Sequence, residues 1–346
     1  MNKEYHLKKS ANMKTSHGTP PPSRSLPAGV WPVMLTPFLD DGGIDWTGVA
    51  ALTNWYLASG IAGLFAVCLS SDMYHLSRDE QLALAARVVR HARGRVPVVA
   101  TGTFGGPIRA QADFVKRMAD TGVAAVVVNV NQLAAPRESD AIWRKHMAEL
   151  LSLTGEIPLG LYECPVPYHR LLTPELLGWA ATTGRLLFMK DTCCRHDEIR
   201  AKLAAIYGTP VCWCNAHAPT LLLSLRAGGK GYSGVAANFY PELFVWLCAH
   251  ALEYQAITEA MQRRLTLWDM ALRQKYPALA CEFLRRRGIM LQSVTREPTP
   301  KLDEEDLLVL HCLLEEVNAT MTSFSLNALP RDSLASLTEQ ARRRIL

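Results

Sequence analysis

A lysine at the end of an apolar run is the first residue of this chain whose position suggests chemistry. Lys190 ends the run LLFM and is followed directly by Asp191. Lysine is almost never fully buried unless it is paired, so Lys190 either reaches the surface at this point or lies in a cavity. In a partly apolar cavity, burial lowers the pKa of the amine, and the neutral amine is a nucleophile that forms a Schiff base with a carbonyl group. The alternative is a lysine at the rim of the fold that pairs with Asp191.

Tyr162 is the second candidate, because it lies near the end of the preceding apolar run, IPLGLYE (157–163), directly before Glu163. A tyrosine beside an imine-forming lysine can move protons and hydrogen-bond the oxygen of the substrate. Without such a lysine, packing of the ring under the following proline turn is the better interpretation. Glu163 is a possible acid or base, but side chains alternate along a strand, and we expect this one to face outward.

These residues require a scaffold, and the chain after residue 28 repeats one pattern. Short apolar runs alternate with longer segments that carry apolar residues at helical spacing. Eight such runs at a spacing of roughly 30 residues predict a (β/α)8 TIM barrel. A doubly wound open sheet is the rival, but its first strand usually leads into a Gly-rich phosphate loop, and the first run here ends in LTPF. The eight runs cover residues 30–36, 63–69, 96–102, 124–130, 157–163, 186–191, 210–215 and 229–235.

The helix ends carry their own signals. Ser77 with Glu80 forms a capping box, and Thr173 before Pro174 marks another helix start. Beyond residue 250 the strand-like runs stop, and three amphipathic segments predict a C-terminal helical appendage. We therefore divide the chain into a disordered basic leader, the barrel, the helical region and a tail, at residues 1–28, 29–250, 251–322 and 323–346.

Composition excludes several classes of protein. The chain has 346 residues, 49% of them hydrophobic and 20% charged, with a net charge of +5, which is the balance of a globular protein with a large core. No apolar run is long enough for a membrane span, and no basic stripe interleaved with aromatic residues predicts nucleic-acid binding. Nine cysteines and a leader without a hydrophobic signal region favour reduced thiols in a cytoplasmic protein.

In such a barrel the working residues lie at the carboxyl ends of the strands. Lys190 is the only lysine expected there. Hydroxyl groups are expected at the same end from Thr36 on the first strand, from Ser70 and Ser71 on the second, and from Ser233 on the eighth.

Four segments resemble the signatures of a known family: VMLTPF, YECP, FMKDTCC and GGKGYSGVAAN. They are similar to motifs of the dihydrodipicolinate synthase / N-acetylneuraminate lyase superfamily, and the resemblance covers about residues 29–320, including KYPA (275–278). It implies a class I Schiff-base aldolase on a TIM barrel, usually a tetramer, with Lys190 as the Schiff-base lysine and Tyr162 as its partner.

The chain also departs from the family pattern. The strand-2 motif G-T-T-G-E is CLSSD (68–72) here, so that Leu69 removes the first hydroxyl. The Pro-Tyr-Tyr after strand 4, whose tyrosine completes a proton relay between subunits, is replaced by VNQ (130–132). The arginine that binds the acceptor's carboxylate is replaced by Pro167, with Arg170 three residues further on. These differences argue against a true dihydrodipicolinate synthase.

The leading hypothesis is a Schiff-base lyase or aldolase that acts on a 2-keto acid of the pyruvate type or on a related carbonyl compound. Lys190 attacks the ketone, Tyr162 moves protons, and Ser70 and Ser71 grip the acid group. Substrate binding is also expected from Thr36, Gly231 and Ser233, since glycine allows close approach of a ligand to the backbone. One alternative is a hydro-lyase that acts on a 2-keto-3-deoxy sugar acid through the same lysine, and another is a non-catalytic ligand-binding barrel. We expect a homo-oligomer, a dimer or a tetramer.

Two other groups of residues give weaker indications of function. Thiols and imidazoles cluster near the ends of strands 6 and 7, but their CC and CxC spacing lacks the CxxC pattern of zinc knuckles. SSDMYH (70–75) contains Ser, Asp and His, yet a hydrolase triad is assembled in space and is not recognised by adjacency, so we interpret it as a substrate-binding loop. We therefore expect no metal and no cofactor. The clustered residues are Cys193, Cys194, His196, Cys212, Cys214 and His217.

Overall fold

Eight parallel strands form one closed sheet in a computed structural model of the chain, which describes residues 25–253, 255–273, 275–296 and 299–324. Their order in the sheet is β1-β8-β7-β6-β5-β4-β3-β2. A parallel bridge between Val33 and Phe65 joins the two ends and closes the barrel. The predicted (β/α)8 barrel is confirmed, and an open doubly wound sheet is excluded. The strands are Gly29–Val30 (β1), Leu64–Phe65 (β2), Val98–Thr101 (β3), Ala125–Asn129 (β4), Leu159–Tyr162 (β5), Leu186–Asp191 (β6), Cys212–Asn215 (β7) and Gly231–Tyr232 (β8).

Helices follow the strands in alternation, and three more come after the barrel. Within the described ranges they are Trp46–Ala58 (α1), Arg78–Ala92 (α2), Ile108–Ala119 (α3), Asp140–Leu153 (α4), Pro174–Thr182 (α5), His196–Ala205 (α6), Leu221–Arg226 (α7), Pro241–His250 (α8), Gln255–Leu272 (α9), Ala278–Arg286 (α10) and Glu304–Ser323 (α11). The appendage is fixed to the barrel by Gln262 of α9, whose amide accepts from the Leu222 N–H and donates to the Ala218 carbonyl, both at 2.8 Å. None of the described helices is both long and apolar enough to cross a membrane.

The predicted helix starts are confirmed. Ser77 accepts from the Glu80 N–H at 3.2 Å, and the Glu80 carboxylate accepts from the Ser77 N–H at 2.8 Å, which is a reciprocal capping box. Thr173 caps α5 by accepting from the Leu176 N–H, with Pro174 in its first turn. Most of the predicted leader, 1–28, and of the predicted tail, 323–346, lies outside the described residues.

The outer strands are shorter than the apolar runs that predicted them. The first run covers 30–36, but β1 ends at Val30, and Pro32, which has no N–H to donate, follows two residues later. β8 is equally short, and the chain passes very close to β1 there. A side chain at Gly231 would place its Cβ 1.8 Å from the Gly29 carbonyl oxygen. Gly231 is therefore required for closure of the barrel.

Aromatic rings fill the barrel interior below the carboxyl ends of the strands. Phe65 of β2 and Phe188 of β6 lie 5.8 Å apart between ring centroids, although their strands are not neighbours, so this contact crosses the interior. Trp31 packs against Phe188 at 5.2 Å, and Tyr162 against Phe65 at 5.7 Å. These rings form an apolar floor on which the polar end of the barrel rests.

Candidate active site

The barrel brings Lys190 and Tyr162 together. β5 and β6 are paired in register, with Tyr162 opposite Lys190, and neighbouring residues of a parallel pair face the same side. The Lys190 Nζ lies 4.1 Å from the centroid of the Tyr162 ring. The two residues are 5% and 2% exposed, so the amine and the phenol share an almost dry environment at the end of the barrel.

This environment changes the ionisation of both groups. Burial lowers the pKa of Lys190 to about 8, although the thiols of Cys68 and Cys164 act in the opposite direction. Burial raises the pKa of Tyr162 well above its usual value. Near neutral pH, a useful fraction of the amine is therefore neutral, and the phenol retains its proton. A neutral nucleophile beside a proton donor is what attack on a carbonyl requires.

Asp191 does not pair with Lys190, so the interpretation of Lys190 as a rim lysine is wrong. Lys202 of α6 donates to both Asp191 Oδ2 and Glu163 Oε1 at 2.6 Å, and all three side chains are fully buried. Since side chains alternate along a strand, residues 163 and 191 face away from the barrel interior. Glu163 thus points outward, as we expected, but into a buried ion-pair network.

Electrostatic interactions among Glu163, Asp191 and Lys202 shift the pKa values of groups in this network. Burial and repulsion by Asp191 raise the pKa of Glu163 to about 7. Burial opposes the charge on Lys202, but the attraction of the two carboxylates outweighs it and raises the pKa of Lys202. The Glu163 carboxylate also accepts from the backbone N–H groups of Leu172 and Thr192, at 2.8 and 3.0 Å. The network therefore fastens the chain after β5 to the chain after β6.

The hydroxyl groups predicted at strands 1 and 2 divide into two kinds. Ser71 donates to the Met34 carbonyl at 2.7 Å and accepts from the Cys68 N–H at 3.1 Å, and Thr36 donates to the Ser71 carbonyl at 2.9 Å. These contacts hold the loop after β2, so the hydroxyl of Ser71 is occupied and does not fit the expected role of gripping an acid group. Ser70, in contrast, is half-buried.

Ser233 has a different environment. The preceding residue, Tyr232, stacks on Phe244 of α8 at 4.0 Å between ring centroids, on the outside of the barrel. By alternation, Ser233 faces inward, where its buried hydroxyl has no hydrogen-bond partner among the described residues. An unsatisfied buried hydroxyl is available to a ligand.

Three groups near the site were not singled out from the sequence. Tyr74, from the loop after β2, donates to the Val166 carbonyl at 2.8 Å. The buried thiol of Cys164 belongs to the residue two positions after Tyr162, and burial raises its pKa. Tyr276, between α9 and α10, accepts from the Asn238 amide at 2.8 Å. Tyr74 lies within the stretch SSDMYH and Tyr276 within KYPA, but neither pattern assigned these phenols a position.

Comparison with known proteins places this geometry in a family. The sequence model of the "Dihydrodipicolinate synthetase family" matches residues 26–317. The chain belongs to this family. The resemblance inferred from the four motifs is thereby confirmed.

Its relatives in the dihydrodipicolinate synthetase family are distant. The chain is 25% identical over 274 residues to a 4-hydroxy-tetrahydrodipicolinate synthase of Pseudoalteromonas atlantica, which covers 78% of this chain and 91% of the relative. It is 27% identical over 231 residues to the putative 2-dehydro-3-deoxy-D-gluconate aldolase YagE of Escherichia coli, which covers 65% and 74%.

Solved structures of the family agree with the fold. The chloride-inhibited dihydrodipicolinate synthase of Acinetobacter baumannii, complexed with pyruvate, superimposes with a TM-score of 0.75 at 20% identity, over 85% of this chain and 99% of that one. YagE of Escherichia coli in complex with pyruvate gives 0.74 at 23% identity, over 84% and 98%. At this identity the likeness establishes the barrel and its appendage.

Two departures from the dihydrodipicolinate synthetase family pattern have structural roles in this member. Arg170 is bonded to Asp140 at 2.8 Å and to carbonyl groups of the loop before α4, so these contacts already occupy its guanidinium group. Asn131, in the segment that replaces Pro-Tyr-Tyr, donates to the carbonyls of Cys164, Val166 and Tyr168 at 2.7 to 2.9 Å. It therefore fixes the loop that follows Tyr162.

The cysteines and histidines near the ends of β6 and β7 make separate local contacts. Cys194 contacts the Thr192 carbonyl at 3.2 Å, and the Cys212 and Cys214 sulfurs lie 3.8 Å apart. His217 shares a hydrogen bond with the Thr220 hydroxyl at 3.1 Å. Over the described ranges, no three His, Cys, Asp or Glu residues are grouped so as to hold a metal ion.

Proposed function

We propose that the chain is a Schiff-base-forming lyase or aldolase that acts on a 2-keto acid of the pyruvate type. The observation that carries this proposal is the buried Lys190 amine, with its pKa lowered to about 8, 4.1 Å from the ring of Tyr162. Membership of the dihydrodipicolinate synthetase family and the names of its lyase relatives support it.

The reaction begins when neutral Lys190 attacks the keto carbon and forms a carbinolamine. Tyr162 donates its proton to the carbinolamine oxygen, which leaves as water, and the lone pair of the nitrogen completes the iminium. The iminium withdraws the electron pair of the bond beside it, so that a carbon–carbon bond breaks or a proton is lost to give an enamine. Reprotonation and hydrolysis return free Lys190.

The polar groups around Lys190 and Tyr162 bind the substrate. Ser70 and the unpaired hydroxyl of Ser233 bind the acid group, and the backbone at Gly231 contributes to the floor of the site. Thr36 and Ser71 contribute indirectly, since their hydroxyls hold the loop that carries Ser70. The aromatic floor of the barrel interior closes the lower side of the substrate site.

The condensation carried out by a dihydrodipicolinate synthase is not the favoured reaction. Arg170 is engaged by Asp140, and position 167 is a proline, so no arginine on this loop is free to bind a second carboxylate. Cleavage of a longer 2-keto acid into pyruvate and an aldehyde needs only the lysine, the phenol and an acid-group site. The name of the aldolase relative, YagE, agrees with this direction.

Reductive trapping tests the proposal. The chain is incubated with pyruvate and a panel of longer 2-keto acids, reduced with borohydride, and the peptide that contains Lys190 is examined by mass spectrometry. We expect the mass of the reduced adduct on Lys190, its loss in Lys190→Ala, and no change in Lys230→Ala, which removes an exposed lysine next to β8. If no acid of the panel gives an adduct, the proposal fails.

Product analysis separates the remaining candidates. A 2-keto-3-deoxy sugar acid gives pyruvate and an aldehyde with an aldolase, but loses water with a hydro-lyase that uses the same lysine. A non-catalytic binding barrel would keep its ligand affinity in Lys190→Ala and would give neither product. We also expect a homo-oligomer, which sedimentation analysis of the full chain tests independently.

A further inference from the structure

Two polar side chains inside the barrel have unused hydrogen-bonding atoms. The Oδ1 atom of Asn129 on β4 and the hydroxyl of Thr101 on β3 have no hydrogen-bond partner among the described residues. Both residues are completely buried, with an exposed fraction of 0%. Burial of a polar atom without a partner is unfavourable. A ligand in the interior would supply the missing partner.

The register of the strands directs both side chains into the interior. Asn129 is paired with Tyr162, and Tyr162 is paired with Lys190, so these three residues lie in one row on the same face of the sheet. Thr101 is paired with Val127, two residues before Asn129. It therefore faces the same side and lies diagonal to Asn129. The two unused atoms belong to the wall of the barrel beside the proposed catalytic pair.

Local hydrogen bonds determine which end of the Asn129 side chain remains unused. The Asn129 backbone N–H donates to the Thr103 hydroxyl at 2.8 Å, and the Asn129 Nδ2 donates to the Thr103 carbonyl at 3.3 Å. The loop after β3 thus engages the amide nitrogen and leaves the amide oxygen. An amide oxygen only accepts hydrogen bonds, whereas the hydroxyl of Thr101 both donates and accepts. A fitting ligand group donates to Asn129 and accepts from Thr101.

A hydroxyl group meets both requirements. A carboxylate has no proton to donate to Asn129. An amine would be bound as an ammonium ion, and burial of a cation requires a paired anion. Within β3 to β6, all four of which the structure describes, the one carboxylate is that of Asp191, and it faces outward to Lys202. The interior next to Asn129 and Thr101 is therefore suited to a neutral hydroxyl.

The position of Asn129 and Thr101 around the barrel indicates which part of the substrate they meet. The strand order places β8, β1 and β2 on one arc and β3, β4 and β5 on the opposite arc. The acid-group site proposed above uses Ser233 after β8 and Ser70 after β2. A 2-keto acid attached to Lys190 therefore extends its other end toward β3 and β4.

We propose that Asn129 and Thr101 determine specificity by binding a hydroxyl group on the part of the substrate that leaves as the aldehyde. This inference rests on the function proposed above. When the bond between C3 and C4 of the 2-keto acid breaks, its electron pair moves to the iminium and gives an enamine. The C4 hydroxyl gives its proton to the phenolate that Tyr162 became on protonating the carbinolamine oxygen. Asn129 is paired with Tyr162 on the adjacent strand, so it meets the hydroxyl on the next carbon, C5.

Two substrates that differ only at C5 test this assignment. One is 2-keto-3-deoxypentonate, which carries a hydroxyl on C5, and the other is its 5-deoxy analogue with the same configuration at C4. Cleavage of either acid by the full chain gives pyruvate, whose release is measured. We expect the ratio of the two kcat/KM values to favour the acid with the C5 hydroxyl by at least about tenfold, because a site that binds a hydroxyl discriminates against an analogue without it.

Matched variants locate the discrimination. Asn129→Leu should bring the ratio close to one, and Thr101→Val should lower it by about 3- to 10-fold, which is the value of one hydrogen bond. Thr101→Ser keeps the hydroxyl and should restore the ratio. A purely structural role would lower both kcat/KM values alike and leave the ratio unchanged. Tyr240→Phe is the control, since it removes another buried hydroxyl without a partner among the described residues, directly before α8.

The outcomes separate this inference from the proposed function. If the unmodified chain forms the Lys190 adduct with pyruvate but shows no preference for the C5 hydroxyl, or cleaves neither acid, the assignment is overturned and the Schiff-base chemistry of Lys190 stands. A preference that persists in both Asn129→Leu and Thr101→Val also overturns it. If Asn129→Leu does not fold, the comparison of Thr101→Val with Thr101→Ser decides, and equal ratios refute the inference. Failure of the unmodified chain to form any adduct overturns both proposals.

Discussion

The pH dependence of adduct formation at Lys190 follows directly from burial of its amine. Only the neutral amine attacks a carbonyl, and burial lowers its pKa from 10.5 to about 8. At pH 7 the neutral fraction is therefore about 9%, against about 0.03% for a solvated lysine, a gain of about 300-fold. The rate should rise about tenfold between pH 6 and 7 and level off above pH 8. Tyr162 sets no upper limit in this range, because burial raises its pKa.

The assay separates this profile from the chemistry of the reductant. The chain and pyruvate react at each pH for a set time, samples are quenched into borohydride at one fixed pH, and the Lys190 peptide is quantified by mass spectrometry. Cys68 is buried within electrostatic range of the amine, and Cys68→Asp would introduce a carboxylate at this position. We expect this variant to move the midpoint of the pH–rate profile to higher pH. Cys68→Asn, whose side chain has the shape of aspartate without the charge, should leave the midpoint near 8.

The result that refutes the reasoning is a rate that keeps rising tenfold per pH unit up to pH 10. Such a profile would mean that the amine is solvated when it reacts. A midpoint unchanged in Cys68→Asp, with the variant shown to be folded by its thermal transition, would mean that a charge at position 68 does not act on the amine.

Further outcomes concern stability. Lys190→Met should raise the free energy of unfolding at pH 7 by up to ~3 kcal/mol, because the lowered pKa of the lysine destabilises the folded state below pH 8. This gain should vanish as the pH approaches 10.5, and urea titrations at both pH values measure it. Lys202→Met should lower the free energy of unfolding by about 3–5 kcal/mol, because it leaves Glu163 and Asp191 buried without a cation. The neutral triple variant Glu163→Gln/Asp191→Asn/Lys202→Met should recover most of this loss in the same titrations. Gly231→Ala should prevent closure of the barrel and abolish the cooperative thermal transition followed by circular dichroism, since its Cβ has no space.

The barrel could be predicted because its signals are local. Each strand appears as a short apolar run and each helix start as a cap, and such patterns depend on neighbouring residues alone. The pairing of Tyr162 with Lys190 followed from the same reasoning, since consecutive strands of a barrel lie side by side. The strand limits were less accurate at Gly231, where closure depends on the approach of β1 from the other end of the barrel.

The surroundings of the pair could not be predicted in the same way. Lys202 reaches Glu163 and Asp191 only because α6 packs on the sheet with one particular rotation, which the sequence pattern does not define. Tyr74 and Tyr276 come from loops, whose course depends on several elements at once. The hydroxyl of Ser71 was misinterpreted for a related reason, because a serine at a strand end satisfies the backbone of its own loop as readily as it binds a ligand.

The buried network behind the strands explains why Lys190 can have a low pKa although Asp191 is its neighbour in sequence. A carboxylate facing the amine would stabilise the ammonium and raise its pKa. Alternation directs Asp191 to the opposite face of β6, and there Lys202 occupies it at 2.6 Å. Among the described residues no salt bridge joins Lys190 to a carboxylate, and only two thiols favour its charged form. The nucleophile therefore depends on a second lysine, which takes up the counter-charge outside the barrel and leaves the amine inside without one.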